Sequence, residues 1–480
     1  MEKLFQSKEA AEKWFIECFG KDETFDAEAR TVHLWDMPAL LMYINGLVDD
    51  QGLLTLLTRM QWNQVKEDLE ESEKFLSYFP FQSVTAVKDR ETMLTTILTG
   101  QPAFVTPSGY AFTIDMRQYP GRQPEEPDIE KVIRGSRDGF TESLVQNTAL
   151  IRRRLRTEDL RFETHQLTVN GKTDVAISFI QGAVSQEHLD YIRTRIDEIK
   201  HDGLTMTDKS LEEFLFKQRF HPMPFVRYTE RPDICAAHLL EGHIAIIVDT
   251  SPSVILVPIS LFYHLQHAEE FRQAPIIGTF VRLMRFSGAF LSLVLLPFWF
   301  LVATQQHYLP DFLSYIGPKD IGEIPLFLQL LMADMGIEVL RMAAIHTPTP
   351  LSTAMGLVAA IVIGQVAIDV GLFTPEVVLY VAISAIFTFA IPSYELSITT
   401  KVFRIIILFS TAIFGVAGFF LSIAVLFYYL CALKPMNVPY LWPLVPFFPH
   451  AMMRMLIRFP MTADVPRPYI TDAPNRNRLD

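Results

Sequence analysis

Long apolar runs without a charged side chain mark the second part of the chain. Four such runs lie at 286–310, 342–368, 377–394 and 405–433. Each holds about the 18 or more apolar residues that a helix needs to cross a hydrocarbon core of roughly 30 Å. The pattern predicts an all-α polytopic membrane domain with spanning helices at about 286–305, 350–372, 376–394 and 405–431.

A segment between the first two runs has helical apolar spacing but also carries charge. PLFLQLLMADMGIEVLRMAA, residues 325–344, contains Asp334, Glu338 and Arg341. Glu338 and Arg341 can pair because they are three positions apart on a helix. We expect an amphipathic helix that lies in the membrane interface or enters it partway. A complete crossing is the alternative; it would raise the number of spanning helices from four to five and place the C-terminus outside.

The first part of the chain alternates strand-like and helical patterns, and the order repeats. DRETMLTTILTG ends a helical pattern at Gly100, and strand, turn and strand follow in QPAFVTPSGYAFTIDM. RPDICAAHLLEG ends at Gly242, and HIAIIVDTSPSVILVP has the same order. Asn170-Gly171 between two alternating runs is a strong hairpin signal. The sequence therefore predicts an α+β region of two similar α/β subdomains.

Composition shifts predict the domain boundaries. YPGRQPEEPD, residues 119–128, is rich in proline and charge and is typical of a linker. The predicted regions are a first cytosolic α/β subdomain at 1–120, a second at 121–275, a transmembrane helical domain at 276–435 and a basic cytosolic tail at 436–480.

Charge is distributed unevenly and indicates an orientation. From Met284 onward the chain holds 11 basic and 11 acidic residues, so the earlier residues carry the whole net charge of −12. That acidic part argues against nucleic acid as a partner. Arg272, Arg282 and Arg285 precede the first predicted span, and five arginines follow from Arg454 onward. The positive-inside rule places both groups on the cytoplasmic side, so an even number of crossings is expected.

Two polar residues interrupt the apolar run AAIVIGQVAIDVG, residues 359–371. They are Gln365 and Asp369. An ionised carboxylate near the middle of a bilayer costs about 2.5–3.5 kcal/mol, so such residues face a polar interior or a water path. The alternative is that Asp369 lies at the membrane interface near the helix end.

Helical spacing over 350–372 predicts two neighbouring stripes. One stripe combines apolar and polar side chains: Val358, Val362, Gln365 and Asp369. The other consists of small residues that allow a second helix to approach closely: Gly356, Ala360, Gly364 and Ala367. We predict that the first stripe lines a pore, with the valines as its constriction, and that the second packs.

The end of the third predicted span, FAIPSYELSITTK, is a second candidate site. Pro392 frees a backbone carbonyl, and Glu395 follows it closely. This arrangement can form an ion-coordinating or gating corner. A plain helix end with Glu395 paired to Lys401 explains it as well.

A basic helix end lies in the second subdomain. In EKVIRGSRDGFTESLVQNTALIRRRLR, Thr141 can cap a helix whose negative end carries four arginines: Arg152, Arg153, Arg154 and Arg156. This local role accounts for the arginines. Binding of an anion or of the membrane surface is the alternative.

Other motifs provide no enzyme or cofactor site. Cys18, Cys235 and Cys431 match no metal or redox spacing. His264 and His267 share a helix face but lack a third ligand at recognisable spacing, so a polar helix is the default and a metal site the alternative. We therefore expect no enzymatic activity and no cofactor.

Three long motifs carry a family resemblance that covers nearly the whole chain. They are VIRGSRDGFTESLVQNTALIRRRL, RPDICAAHLLEGHIAIIVD, and TPLSTAMGLVAAIVIGQVAIDVGLFTPEVV with FAIPSYEL. The chain resembles the A subunits of GerA-type spore germination proteins of endospore-forming bacteria. AIDVG at 367–371 and PSYELSITTK are more similar to a separate branch of that family than to nutrient-receptor A subunits.

The resemblance implies a multi-pass protein of the spore inner membrane whose N-terminal region lies on the cytoplasmic, core side. It also implies a homo-oligomeric ion channel in the lipid bilayer, with a pentamer expected, that opens during germination. A ring of Asp369 carboxylates in such a channel would favour monovalent cations. The partners implied are a small membrane protein and other germination proteins. The alternative is a nutrient germinant-receptor A subunit or scaffold that acts with B and C subunits.

Overall fold

The computed structural model describes most of the chain and divides it into two compact units. The described residues are 3–20, 24–35, 37–62, 75–79, 83–117, 130, 132, 134–167, 171–216, 221–305, 316–318, 322–346, 356, 358, 360–460, 462–463 and 466–476. Unit 1 comprises Met1–Phe220, Val226–Ile259 and Thr462–Asp480, and unit 2 comprises His221–Phe225 and Ser260–Met461. The predicted linker at 119–128 and Asn170 lie outside the described residues. The predicted domain boundaries stay predictions.

Unit 1 contains two antiparallel five-stranded sheets. The strands of sheet 1 are β1 Ala27–Leu34, β2 Met37–Ile44, β3 Val84–Ala86, β4 Ala103–Val105 and β5 Ala111–Ile114. The strands of sheet 2 are β6 Leu160–Leu167, β7 Thr173–Ile180, β8 Arg227–Thr229, β9 Ile244–Val248 and β10 Val254–Val257. The orders are β1-β2-β4-β5-β3 and β6-β7-β9-β10-β8. Both sheets therefore have the same topology, which confirms the predicted pair of similar α/β subdomains.

Seven helices cover the sheets in the described part of unit 1. They are α1 Lys8–Phe19, α2 Asp50–Trp62, α3 Arg90–Leu98, α4 Leu144–Arg154, α5 Gln186–Asp197, α6 Thr207–Phe216 and α7 Pro232–Leu240. On β2, alternate residues enter two apolar clusters: Leu40 and Met42 pack with Phe15 of α1, whereas Leu41 and Tyr43 pack with Leu53 of α2. Both faces of this strand are buried, which explains its continuous apolar sequence.

Two glycines occupy equivalent positions in the two subdomains. Gly100 follows α3 and Gly242 follows α7, each with a φ of +91° that favours glycine. A Cβ at Gly100 would lie 2.8 Å from the carbonyl oxygen of Leu47, and one at Gly242 would lie 2.6 Å from that of Ala183. Because Leu47 and Ala183 both come three residues after the second strand of their sheets, the repeat extends to this close backbone contact.

Unit 2 is helical in its described part. The helices are α8 Leu261–His264, α9 Ala268–Arg272, α10 Pro275–Thr304, α11 Leu326–His346, a π-helix Ala360–Val366, α12 Ala367–Asp369, α13 Pro375–Phe389, α14 Tyr394–Ala432 and α15 Pro449–Leu456. Among these, α10 and α14 are long and apolar enough to cross a membrane, and α13 is a shorter apolar helix.

Contacts at two positions along a pair of helices show whether the two helices run parallel or antiparallel. Trp299 stacks on Tyr380 with ring centroids 4.7 Å apart, and a Cβ at Gly288 would lie 3.3 Å from Phe387, so α10 and α13 are antiparallel. The ring of Phe327, at the start of α11, lies 6.1 Å from that of Phe300, near the end of α10. Farther along α11, Glu338 contacts Lys401, which lies near the start of α14.

Helix α14 reverses its direction at Gly415 and forms a hairpin. Gly415 has φ 58° and ψ −134°, which lies in a region that only glycine adopts readily. Beyond it, Ser410 Oγ donates to the carbonyl of Gly418 at 3.0 Å, and the rings of Phe403 and Tyr429 lie 6.0 Å apart. A continuous helix would separate those rings by about 39 Å. The helix therefore has a first limb, 394–414, and a second limb, 416–432.

The bundle differs from the predicted spans in one respect. The run at 405–431 is not one straight span, because its first half belongs to one limb and its second half returns along it. The charged helix α11 packs inside the bundle, where Asp334 is buried and bonded to α14; its predicted position at the membrane interface stays a prediction. The predicted pairing of Glu338 with Arg341 is confirmed, with Arg341 Nε donating to Glu338 Oε1 at 3.0 Å. Residues 351–355 lie outside the described residues.

Candidate functional site

The predicted pore stripe is exposed along its length in the single chain. Val358 and Val362 are 60% and 51% exposed, and Gln365 and Asp369 are exposed as well. Between them the backbone is a π-helix, Ala360–Val366, followed by the single turn of α12. A π-turn is rare and occurs frequently at functional sites. The predicted α-helical spacing therefore holds only approximately, because each π-turn contains more residues than an α-turn.

The predicted stripe of small residues is divided. Ala367 is buried in an apolar cluster with Trp299 and Phe373. A Cβ on Gly356 or Gly364 would meet no atom within 4 Å. The side chain of the fourth residue, Ala360, lies outside the described residues. Within one chain, therefore, Ala367 packs while the two glycines face open space.

A buried ionic network joins the helices of the bundle, and the sequence predicted only its pair of Glu338 and Arg341. Arg404 Nη2 on α14 donates to Asp334 Oδ1 on α11 at 2.6 Å, and Lys401 Nζ lies 3.6 Å from the same oxygen. Lys401 also donates to Glu338 Oε2 at 2.9 Å, and Glu338 binds Arg341. Charges at this depth are tolerated because each has an opposite partner.

Arg404 extends the network to two further helices. Its Nη1 donates to the carbonyl of Ser292 on α10 at 3.0 Å. The same nitrogen donates to Ser384 Oγ at 2.7 Å and Thr388 Oγ1 at 3.1 Å, both on α13. One guanidinium group therefore joins α10, α11, α13 and α14.

The corner at the start of α14 is a capped helix end. Ser393 is the N-cap, and its side chain accepts from the Leu396 backbone N–H at 3.3 Å. Pro392 and Glu395 flank it and are half-buried. Lys401 binds Asp334 and Glu338, which differs from the suggested pairing of Lys401 with Glu395. A charge pair across 67 or 63 residues leaves no local sequence signal.

The four arginines at the end of α4 and just beyond it have different surroundings. Arg152 is fully buried; its Nε lies 3.0 Å from Asp26 Oδ2. Arg154 Nη2 lies 2.6 Å from Asp138 Oδ1. Arg153 and Arg156 are exposed. Arg152 and Arg154 therefore have carboxylate partners within the chain.

The side chain that binds the first backbone N–H of α4 comes from a distant residue, Asp249. Ser143 rather than Thr141 is the N-cap, and Leu144 N donates to Asp249 Oδ1 at 3.1 Å. Thr141 Oγ1 instead accepts from Ser143 N at 3.2 Å. Asp249 follows β9, so sheet 2 supplies the acceptor that the sequence analysis assigned to Thr141.

The histidines and cysteines do not converge on an ion site in the described residues. His267 is the N-cap of α9 and accepts from Glu269 N at 3.2 Å, whereas His264 is buried in α8. No cluster of three or more His, Cys, Asp or Glu side chains suited to a metal occurs in that part of the chain. Cys18, Cys235 and Cys431 are free thiols.

Comparisons with known proteins agree on one family. The sequence model described as Bacillus/Clostridium GerA spore germination protein matches residues 14–470. Stage V sporulation protein AF of Bacillus subtilis is 45% identical over 99% of this chain and 97% of its own length. Spore germination protein KA of the same organism is 30% identical over 89% of this chain and 80% of its own length. The higher identity to the first relative confirms the predicted branch.

A solved structure also matches the first part of the chain. It is the N-terminal domain of the A subunit of the Bacillus megaterium spore germinant receptor GerK3, which is 23% identical. The match covers 54% of this chain and 96% of that chain, with a TM-score of 0.40.

Proposed function

The chain belongs to the GerA family of spore germination proteins, and we propose that it is a homo-oligomeric cation channel that releases ions during germination. It would act in the spore inner membrane, with unit 1 on the cytoplasmic, core side. Its relatives are named as sporulation and germination proteins. No catalytic step and no cofactor form part of this function.

The exposed π-helical segment carries the proposal. Val358, Val362, Gln365 and Asp369 are exposed in the single chain, although an ionised carboxylate is costly to place against lipid. If several copies surround an axis with this segment inward, the carboxylate meets water and the valines meet one another. The open space at Gly364 would then take a helix of the neighbouring copy.

The order of side chains suggests how conduction is controlled. Rings of Val358 and Val362 form an apolar constriction, which can close a pore by excluding water. Rings of Gln365 and Asp369 form a polar mouth on one side of it. A ring of carboxylates attracts cations and repels anions, so monovalent cations are the expected cargo.

The ionic network gives this pore a stable frame. Arg404 joins four helices, none of which is the π-helical segment. Helices α10, α11 and α13 and the first limb of α14 can therefore stay fixed while the π-helical segment adjusts. An even number of crossings, expected from the basic residues before the first span and in the tail, would place the C-terminus on the cytoplasmic side.

The alternative keeps the family and changes the role. A nutrient germinant-receptor A subunit or scaffold would act with B and C subunits and conduct nothing by itself. Ion flux through liposomes that contain only the purified chain separates the two functions. Flux well above that of empty liposomes supports the channel, and absence of flux supports the scaffold. A small membrane partner and other germination proteins would then modulate the channel in the spore.

A further inference from the structure

A buried arginine cluster lies where the first long apolar helix begins. Arg282 and Arg285 are three positions apart on one face of α10. Glu270 of α9 accepts from Arg282 Nε at 2.7 Å and also pairs with Arg285. Arg458, just beyond α15, donates through Nη2 to the carbonyl of Phe271 at 2.6 Å. Three guanidinium groups thus meet where α9, α10 and the segment after α15 come together.

The backbone is shaped to bring these groups together. A Cβ at Gly278 would lie 2.8 Å from Arg458 Cδ and would collide with the carbonyl of Glu270, so this position requires glycine. Arg282 Nη1 donates to the carbonyl of Arg454 at 3.1 Å. The cluster is therefore a packed part of the fold, in which the arginines are held in fixed positions.

Two donors of the cluster have no acceptor in the described part of the chain. They are Arg282 Nη2 and Arg458 Nε, and the two residues are 2% and 8% exposed. Glu270 is a carboxylate partner of both Arg282 and Arg285, and Arg458 adds a further positive charge. A buried charged donor without an acceptor is costly, so the cluster is short of an anion.

The position on the helix indicates which anion it is. Arg285 is the last charged residue of α10 before its charge-free stretch. With α10 crossing the membrane, as the proposed function requires, the cluster falls at the level of the phosphate groups of the bilayer. A row of exposed apolar side chains runs beside it, with Ile276, Phe280 and Met284 at 85%, 63% and 56% exposure. Acyl chains can lie along this row. Basic pockets at the cytoplasmic ends of membrane helices bind phosphate head groups.

We propose that Arg282, Arg285 and Arg458 bind the phosphate of one anionic phospholipid of the cytoplasmic leaflet. Arg282 Nη2 and Arg458 Nε donate to the phosphate oxygens, and Glu270 orients Arg282 and Arg285. The lipid then ties the segment after α15 to the start of α10, so the anionic lipid content of the membrane influences how firmly the two are held. This site is independent of the proposed pore.

Binding to the full-length purified protein in mild detergent tests the site. The probes are fluorescent phosphatidylglycerol, phosphatidylcholine with the same acyl chains, and inorganic phosphate as competitor. Phosphatidylglycerol is expected to bind at least about tenfold more tightly than phosphatidylcholine. Arg458→Gln is expected to weaken it by about tenfold, the loss of one charge-assisted hydrogen bond. Arg59→Gln, which removes an exposed arginine of α2, is the control with unchanged affinity.

Further variants distinguish a loss of lipid binding from misfolding of the protein. Arg285→Gln removes the less buried arginine and is expected to weaken phosphatidylglycerol in the same way, whereas Arg458→Lys retains the charge and restores part of the affinity. Equal affinity for the two lipids, or unchanged affinity in Arg458→Gln and Arg285→Gln, would overturn the proposal. Displacement of the lipid by inorganic phosphate at the same concentration would also overturn it, because the site would then serve a free anion.

Discussion

Arg404 and Asp334 form a buried ion pair across 70 positions of the sequence. Arg404 Nη2 donates to Asp334 Oδ1 at 2.6 Å, and the two side chains are 1% and 4% exposed. Arg404 Nη1 donates to a carbonyl of α10 and to two hydroxyl groups of α13. Removal of the carboxylate therefore leaves a positive charge without its counter-ion in the middle of four helices.

We predict that Asp334→Asn destabilises the full-length protein by about 3–5 kcal/mol, the usual cost when one partner of a buried pair is removed. Thermal unfolding in detergent measures this effect. Glu17→Gln is the control, because it breaks the exposed pair with Lys13 at 3.9 Å and should change stability by less than about 1 kcal/mol.

A double variant tests whether the charges act as a pair. Asp334→Leu with Arg404→Met removes both charges and should be more stable than either single variant, because neither charge is left alone. Losses that simply add up in the double variant would contradict the pair.

The hairpin of α14 depends on Gly415. Its φ of 58° and ψ of −134° are strained for any residue with a side chain, and a Cβ there would lie 3.1 Å from Gln305 Nε2. Gly415→Ala should therefore destabilise the protein by about 1–3 kcal/mol, measured as a lower unfolding midpoint. Gly203→Ala, where a Cβ meets nothing within 4 Å, should have little effect. Equal midpoints for the two variants would argue for a continuous helix through Gly415.

Two buried histidines of unit 1 make its stability depend on pH. Burial lowers the pKa of His243 to about 3. Burial, reinforced by neighbouring His243, lowers the pKa of His238 as well. In the unfolded chain both titrate near 6.5, so the unfolded state binds more protons below that pH. Stability should therefore be fully present above pH 6.5 and fall as the pH drops from 6.5 toward 3.

The unfolding midpoint of the full chain between pH 7.5 and 5.5 measures this dependence. Each histidine contributes at most about 1.4 kcal/mol per pH unit. His243→Gln should make the decline shallower, whereas the exposed His33→Gln should leave the slope unchanged. The same slope in His243→Gln and the unsubstituted protein would show that His243 takes no part.

Local patterns in the sequence were enough to predict the repeat in unit 1. The residues that indicate the order of strands and turns lie within about thirty positions of Gly100 and of Gly242. The two sheets share their topology. The long apolar helices follow equally directly from composition. The exposure of Val362 and Asp369 on one segment agrees with the predicted stripe, although its pore role stays a prediction.

The remaining features depend on residues that are distant in sequence. The pairing of Asp334 with Lys401 could not be predicted from local sequence, because the partners lie more than 60 residues apart. Asp249 caps α4 from 105 residues further on, so a nearby threonine was the natural assignment. The sequence alone did not single out Gly415, because glycine is more frequent in membrane helices than in soluble ones.

The proposed constriction gives a prediction about closed-state leakage. Val362→Ala shortens a side chain that is 51% exposed in the single chain and would widen an apolar ring. Liposomes with this variant should lose an ion gradient faster than liposomes with the unsubstituted protein, because a wider and less apolar constriction wets more readily. Val370→Ala, at a valine that is 71% exposed and lies outside the stripe, should leak no faster. Equal leakage in Val362→Ala and Val370→Ala would place the constriction elsewhere.

The central claim is that copies of this chain surround a water path lined by the segment that carries Asp369. The reversal potential of the purified protein in a planar bilayer under a potassium chloride gradient tests it most directly. The unsubstituted protein should show a cation-selective reversal potential, Asp369→Asn should move that potential toward zero, and Glu376→Gln, at the start of α13, should leave it unchanged. An unaltered, cation-selective reversal potential in Asp369→Asn would contradict the account.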